Sequence, residues 1–173
     1  MLHPRQDVAS IQATAVAVQP FAVLLTCSDS RVIPEIIFDQ GIGDLFTVRV
    51  AGNVANGDEI ASVEYAIEQF HVPLCLVMGH SGCRAVQAML SGNSFPLDQD
   101  QLFRQIRIAA EQVRRERPTL FGVELAEAVV RSNVARSMEE LAKRVDTRHA
   151  QKAQIVGAEY LSSGEVLWLD SQS

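Results

Sequence analysis

Residues 21–31, Phe-Ala-Val-Leu-Leu-Thr-Cys-Ser-Asp-Ser-Arg, decide how this 173-residue chain folds. Phe21 to Thr26 is an unbroken apolar run of strand-forming residues, and a polar cluster follows it at once. A run without polar alternation fits a strand covered on both faces, as in a parallel sheet. Pro73 to Met78 (Pro-Leu-Cys-Leu-Val-Met) has the same character, and Gly79-His80-Ser81-Gly82-Cys83 comes directly after it.

The segments around these two runs extend the pattern. Pro34 to Asp39 reads as a short helical turn stopped by Gly41 and Gly43, and Asp44 to Val50 as another strand. Asn53 to Gly57 has turn chemistry. Asp58 is placed to cap a helix over Glu59–Phe70, with Ile60, Val63, Ala66, Ile67 and Phe70 on one face. A helix should start near Gly82, followed by an exposed loop from Ser91 to Asp100. Two helices follow, over about residues 101–117 and 123–145, separated by Pro118. Ala153 to Tyr160 reads as a fourth strand, turning at Ser163-Gly164 into an edge strand over Val166–Leu169. Upstream, Met1 to Val18 is a helix candidate ended by Pro20. Alternating strands and helices predict an α/β fold: a mostly parallel sheet of about four strands flanked by helices, with a C-terminal edge strand. The length predicts one domain over residues 1–173.

Composition bounds the function. Fifteen Lys and Arg stand against 21 Asp and Glu, a formal charge of −6. That balance argues against a nucleic-acid partner or a polybasic membrane anchor. Cys27, Cys75 and Cys83 are an odd, small set, which fits a reducing compartment and not a disulfide framework. The first twenty residues lack the continuous apolar segment of a secretory signal, and no apolar run approaches spanning length. The expectation is a cytoplasmic protein with no membrane partner.

In open α/β sheets ligands bind beyond the carboxyl ends of the strands. Cys27 and His80 both sit just past such ends, and they can meet if their strands are neighbours. His80 and Cys83 are three residues apart, so one strand-to-helix turn can aim both at a point that Cys27 closes. Two thiolates and an imidazole are the three-protein-ligand set of a catalytic zinc site with a fourth position open. Asp29 and Arg31 follow Cys27 closely. An Asp paired with Arg stays ionised and can accept the proton of a zinc-bound hydroxide. Released from Arg31, the same Asp could occupy the fourth metal position and close the site. Cys75, mid-strand, reads as a small hydrophobe. His3, His71 and His149 are given no metal role, and a purely structural zinc is the competing reading of the cluster.

At these residues the chain resembles the β-class carbonic anhydrases: Cys-x-Asp-Ser-Arg after one apolar strand, His-x-x-Cys after another. The resemblance extends to Phe46 and Arg49, to Ser62-Val63-Glu64-Tyr65-Ala66 and to Val156-Gly157-Ala158, over about residues 20–169. It implies zinc-dependent, reversible hydration of carbon dioxide to bicarbonate. Zinc would be held by Cys27, His80 and Cys83, with Asp29 and Arg31 as the catalytic dyad. It also implies a homodimer or higher homo-oligomer with active sites near the subunit interface. Phe46, with Val32 and Val54, is expected to form an apolar wall for the substrate. A backbone N–H at the start of the helix after Cys83 is expected to face the developing oxyanion.

Several positions depart from the family pattern. Arg84 follows Cys83 where the family usually has Gly, so its side chain would either crowd the pocket or attract bicarbonate. Val18 stands where many relatives carry a pocket Gln nine positions before the first zinc Cys, and Gln19 is one step away. The N-terminal helices that embrace the partner subunit in relatives are missing or reduced, which bears on the dimer. Leu24 replaces the Trp of relatives whose zinc closes on binding bicarbonate, although Arg49 and Tyr160 match other parts of that regulatory site. The expectation is an open site with Asp29 on Arg31. Two other functions fit the same cluster: hydrolysis of an analogue such as carbonyl sulfide, or a catalytically weak paralogue acting as a binding or assembly subunit.

Overall fold

A computed structural model describes residues 4–92, 94–148 and 153–169. The elements run α1 (Val8–Val16), β1 (Ala22–Cys27), α2 (Pro34–Ile37), β2 (Leu45–Val50), a 3-10 turn (Ala51–Asn53), α3 (Gly57–Phe70), β3 (Leu74–His80), α4 (Arg84–Leu90), α5 (Leu97–Glu116), α6 (Gly122–Arg148), β4 (Gln154–Tyr160) and β5 (Val166–Leu169). Among the described residues the five strands form one sheet in the order β2-β1-β3-β4-β5. The first four are parallel, and β5 runs antiparallel to β4. The predicted α/β class and the C-terminal edge strand are therefore observed.

β1 lies inside the sheet, and all six of its residues are buried. Its lack of alternation has a direct cause: both faces are covered. Val23 and Leu25 join Val63, Ile67, Val77, Val134 and Leu141 under α3 and α6. Leu24 faces the other way, with Val32, Leu76 and Met78. β2, at the sheet edge, is only half-buried. α6 lies close against β3: a Cβ at Gly79 would come within 2.7 Å of Val130 Cγ1 and 2.9 Å of Val134 Cγ2. Any side chain there would push the helix away from the strand ends.

The strand order creates the site. From β1 the chain moves outward to β2, then crosses back through α3 to β3 on the other side of β1. The connections leaving β1 and β3 thus diverge, opening the kind of crevice where α/β proteins bind ligands. The buried Thr26 hydroxyl donates to the Met78 carbonyl at 3.0 Å and ties the two strands together beside it.

Helix boundaries differ from expectation in three places. α3 starts at Gly57 with Asn56 as its cap, and Asp58 sits in the first turn, where its charge complements the helix dipole. α5 starts at Leu97, so the last part of the expected 91–100 loop is helical. Pro96 precedes it, and Asp98 and Asp100 occupy its first turn. α1 spans Val8–Val16 and is capped by Asp7, whose carboxylate accepts from Ser10 N at 2.8 Å. Residues 1–3 of the longer helix expected there lie outside the described residues, as do His3 and His149. No helix among the described residues is long and apolar enough to cross a membrane.

Candidate metal centre

Cys27 is the last residue of β1, His80 the last of β3, and Cys83 the N-cap of α4. Because β1 and β3 are parallel neighbours, residues 53 positions apart end at the same place. The two sulfurs and one ring nitrogen all lie within 4.8 Å of one another, and all three residues are buried. Tetrahedral zinc, at about 2.3 Å from sulfur and 2.0 Å from nitrogen, holds such donors roughly 3.5–3.8 Å apart. A small contraction of the triangle would suffice.

The imidazole is preset for a metal. Its Nδ1 lies 3.0 Å from the Ser81 carbonyl oxygen, which can only accept, so Nδ1 carries the proton. Nε2 is then a bare lone pair. It is buried and has no hydrogen-bond partner. A buried acceptor left this way is costly unless something occupies it. Fixing the tautomer through a backbone carbonyl is the usual outer-shell arrangement of a metal-bound His.

The two thiols respond oppositely to their surroundings. Cys27 is held well below the usual thiol range, first by the hydrogen bond from Cys83 and then by the N–H groups of Gly52 and Asp29, against the opposing effect of burial. Cys83 is pushed up by the bond it gives to Cys27, by burial and by the charge on Cys27. One sulfur thus ionises at its neighbour's expense. A divalent cation removes that conflict and favours two thiolates. The orphaned nitrogen and the paired sulfurs fit zinc.

Asp29 and Arg31 form a two-pronged pair beside this triangle. Arg31 Nε donates to Asp29 Oδ1 at 2.9 Å and Nη2 to Oδ2 at 2.8 Å, while the Arg31 backbone N–H adds a third bond at 3.0 Å. These contacts hold the Asp29 carboxyl far below the usual carboxylate range. Its Oδ2 lies 4.0 Å from His80 Nε2, so the carboxylate faces the metal position while committed to Arg31. Arg31 Nη2 also reaches the Gly82 carbonyl at 3.3 Å and links the two loops.

Other expected residues are placed differently. Arg84 opens α4 with its side chain exposed. Phe46 does not reach the site of its own chain. It pairs with Val23, four residues before the Cys27–Val50 pair, which is roughly 13 Å along the strand. There it packs against Tyr65 and Phe70, with ring centroids 6.2 and 5.8 Å away. Its ring packs, with Val48 and Val50, against the core under α3. Val18 and Gln19 precede β1 and so lie at the opposite end of that strand from Cys27. Val54 does belong to the apolar cluster around Cys27 and Cys83. Val32 lines a cleft of about 220 Å³ with Arg31, His80, Ser81 and Tyr160.

Three contributors were not assigned these roles by the sequence reading. Arg49 reaches across from β2 and donates to the Asp29 carbonyl at 2.8 Å and the Cys27 carbonyl at 3.3 Å. Gly52 N–H points at Cys27 Sγ at 3.3 Å. The fully buried Glu159 accepts from Arg131 Nε at 2.7 Å and faces the Ser81 hydroxyl at 3.4 Å. Of these, only Arg49 carried a signal in the sequence, a charged residue inside a strand run.

Fold and site together define an α/β protein with a buried Cys-His-Cys group that could hold a metal ion, at a topological switch point. A family model described as carbonic anhydrase matches residues 22–166. Over 167 residues the chain is 36% identical to the carbonic anhydrase of Synechococcus elongatus, covering 89% of this chain and 61% of that protein. Over 90 residues it is 48% identical to the carbonic anhydrase of Mycolicibacterium smegmatis, covering 52% of this chain and 44% of that one. Among solved structures it resembles the β-carbonic anhydrase CafA of Aspergillus fumigatus, with a TM-score of 0.84, 26% identity, and 94% and 81% of the two chains covered. The β-carbonic anhydrase CcaA superposes with a TM-score of 0.80 at 29% identity, over 92% and 84% of the two chains. The chain belongs to the β-carbonic anhydrase family. It spans less than two thirds of the length of the curated relatives just named.

Proposed function

We propose that this chain, read as one domain, catalyses the reversible hydration of carbon dioxide to bicarbonate with zinc held by Cys27, His80 and Cys83. The observation that carries the reading is the buried, partnerless Nε2 of His80 facing two sulfurs, in a chain of this family. Zinc at that point would supply the Lewis acidity that makes water nucleophilic at neutral pH.

The chain's own groups do the rest. Asp29, kept ionised by Arg31, accepts a hydrogen bond from the incoming water and fixes which lone pair faces the carbon of the substrate. Because both Asp29 oxygens are engaged by Arg31, the carboxylate stays off the metal position, which supports an open site. Val54, buried beside the two cysteines, keeps one side of the site dry for an apolar substrate. Arg31 and Arg84 put positive charge at the exposed rim, where it favours the anionic product. The backbone N–H groups of Ala85 and Val86, at the start of α4, engage the Cys83 sulfur and favour its ionised form.

The protein is read as a cytoplasmic homodimer or higher homo-oligomer. Support for association comes from exposed apolar side chains on α1, where Val8 is 67% and Val16 90% accessible, and from the half-exposed Tyr65 on α3. Sedimentation velocity tests it, and a monomer at micromolar concentration would reject it. Stopped-flow hydration of carbon dioxide with a pH indicator, before and after zinc removal by a chelator, tests the activity. Turnover that disappears with zinc and returns on its addition is expected. Zinc-loaded protein with no rate above buffer would reject the enzyme reading in favour of a binding subunit.

A further inference from the structure

The 3-10 turn after β2 holds an unfavourable shape. Gly52 has φ 73° and Asn53 φ 44°, two left-handed residues in succession. The second is an asparagine, which enters this region more readily than other side-chain-bearing residues but still less readily than glycine. Gly52 also lies so near α5 that a Cβ would come within 2.5 Å of Ile106 Cδ1. This turn delivers the Gly52 N–H to Cys27 Sγ.

A buried polar set from α5 and α6 grips the turn from behind. Asn133 Nδ2 donates to the Gly52 carbonyl at 2.8 Å, and the Ser137 hydroxyl donates to the Asn53 carbonyl at 2.9 Å. Gln105 Oε1 accepts from Ala55 N–H at 3.0 Å. Its Nε2 donates to Asn133 Oδ1 at 3.0 Å and to Ser137 Oγ at 2.6 Å, which locks the three side chains together. Asn133 and Ser137 are fully buried and Gln105 is 8% exposed, beside Ile106, Ala109, Val129 and Val130. A helix-packing surface gains most from apolar residues. Three polar side chains in it are tolerated because each is satisfied, and such a network specifies a unique geometry.

We propose that Gln105, Asn133 and Ser137 are positioning residues for the metal centre, holding the 51–55 turn so that the Gly52 N–H stays on the Cys27 sulfur. None of the three touches a metal ligand. Their effect passes through the turn: with one sulfur lone pair engaged by Gly52, another is left directed toward His80 and Cys83. The inference rests on the reading of Cys27 as a zinc ligand.

The test compares the full-length wild-type chain with Asn133→Ala and Ser137→Ala. Amide hydrogen exchange of Gly52 is followed in metal-free protein, and zinc affinity by competition with a chromophoric chelator. Only variants whose β1 and β3 amides keep wild-type protection are scored. Gly52 exchange should accelerate, and zinc affinity should fall about tenfold or more, the usual effect of losing an outer-shell partner. A purely structural role would lower the melting temperature and leave both readouts of the folded protein unchanged, which would overturn the proposal. Faster exchange with unchanged affinity overturns the link to the metal, and weaker affinity with unchanged exchange overturns the route through Gly52. If Asn133→Ala does not fold, Ser137→Ala decides by the same criteria. If the wild type itself binds no zinc, the functional reading fails alone, and Gly52 exchange still decides whether the network holds Cys27.

Discussion

Cys75 and Cys83 belong to one short stretch, eight residues apart, yet they have different chemistry. Cys75 is the second residue of β3, near the amino end of that central strand, fully buried among Val23, Val63, Ile67 and Val77. Burial alone pushes its thiol up to about 12. Cys83 lies past the end of the same strand, equally buried, but faces another sulfur and an imidazole. The middle of the sheet makes a thiol an inert hydrophobe. The carboxyl end places the same group where it could hold a metal, because there the chain turns away and polar neighbours from two strands converge. Burial does not distinguish the two regions; what lies within 5 Å does.

Substitution should break this contrast most sharply at the strand end. Cys83→Ser or His80→Ala is expected to lose zinc, read by elemental analysis, and to bring carbon dioxide hydration down to the buffer rate. Cys75→Ala should keep both zinc and rate. If Cys75→Ala lost zinc as Cys83→Ser does, the division between the regions would be wrong.

Asp29→Asn comes next. The amide cannot accept both prongs of Arg31, and it offers the incoming water a weaker acceptor. A drop of about 100-fold in kcat is expected, within the range for a positioned proton acceptor. Zinc content should not change, which separates the dyad from the ligands.

The mid-sheet thiol has its own signature in pH. Cys75 stays protonated in the folded protein up to about pH 12 but ionises near 9 when unfolded. Its protonated form is therefore favoured by folding. That stabilising effect is fully present below about pH 9 and is lost as pH rises toward 12. The loss could reach roughly 4 kcal/mol. Urea unfolding of metal-free protein under reducing conditions should show stability falling over that window, and Cys75→Ala should flatten part of the fall.

The smallest effect is expected at Arg84. Its side chain is exposed at the first position of α4, so Arg84→Gly is expected to change kcat/KM by no more than about threefold. It should cost about 0.5–1 kcal/mol from glycine at a helix start. A large gain in rate would show that the arginine blocks the pocket.

Much of this was legible in the chain. β1 and β3 announced themselves because strands covered on both faces carry no polar alternation. The donors at 27, 80 and 83 and the dyad at 29 and 31 follow from residue type and short spacing. The distance of Phe46 from its own chain's cluster was not legible, because strand membership does not say how far along the strand a side chain lies from a residue at its end. The start of α5 was missed because Pro96 and two acidic residues look like loop composition, although acidic residues also suit a first helical turn. Gln105, Asn133 and Ser137 were invisible: helical polar residues usually face water, and only packing reveals that these three turn inward onto a strained loop.

The amino-acid sequence by itself determined the chemistry available: two thiols and an imidazole at strand ends, with an Asp and an Arg close behind. Residue type and local periodicity act over a few positions, so they can be read directly. Only the tertiary structure decided that β1 and β3 are neighbours, and hence that Cys27 meets residues more than fifty positions away. It alone decided that Nδ1 of His80 is capped while Nε2 is left bare, and that α5 and α6 brace the Gly52 turn. These are long-range pairings, selected by the joint packing of sheet and helices, and no local stretch of chain encodes them.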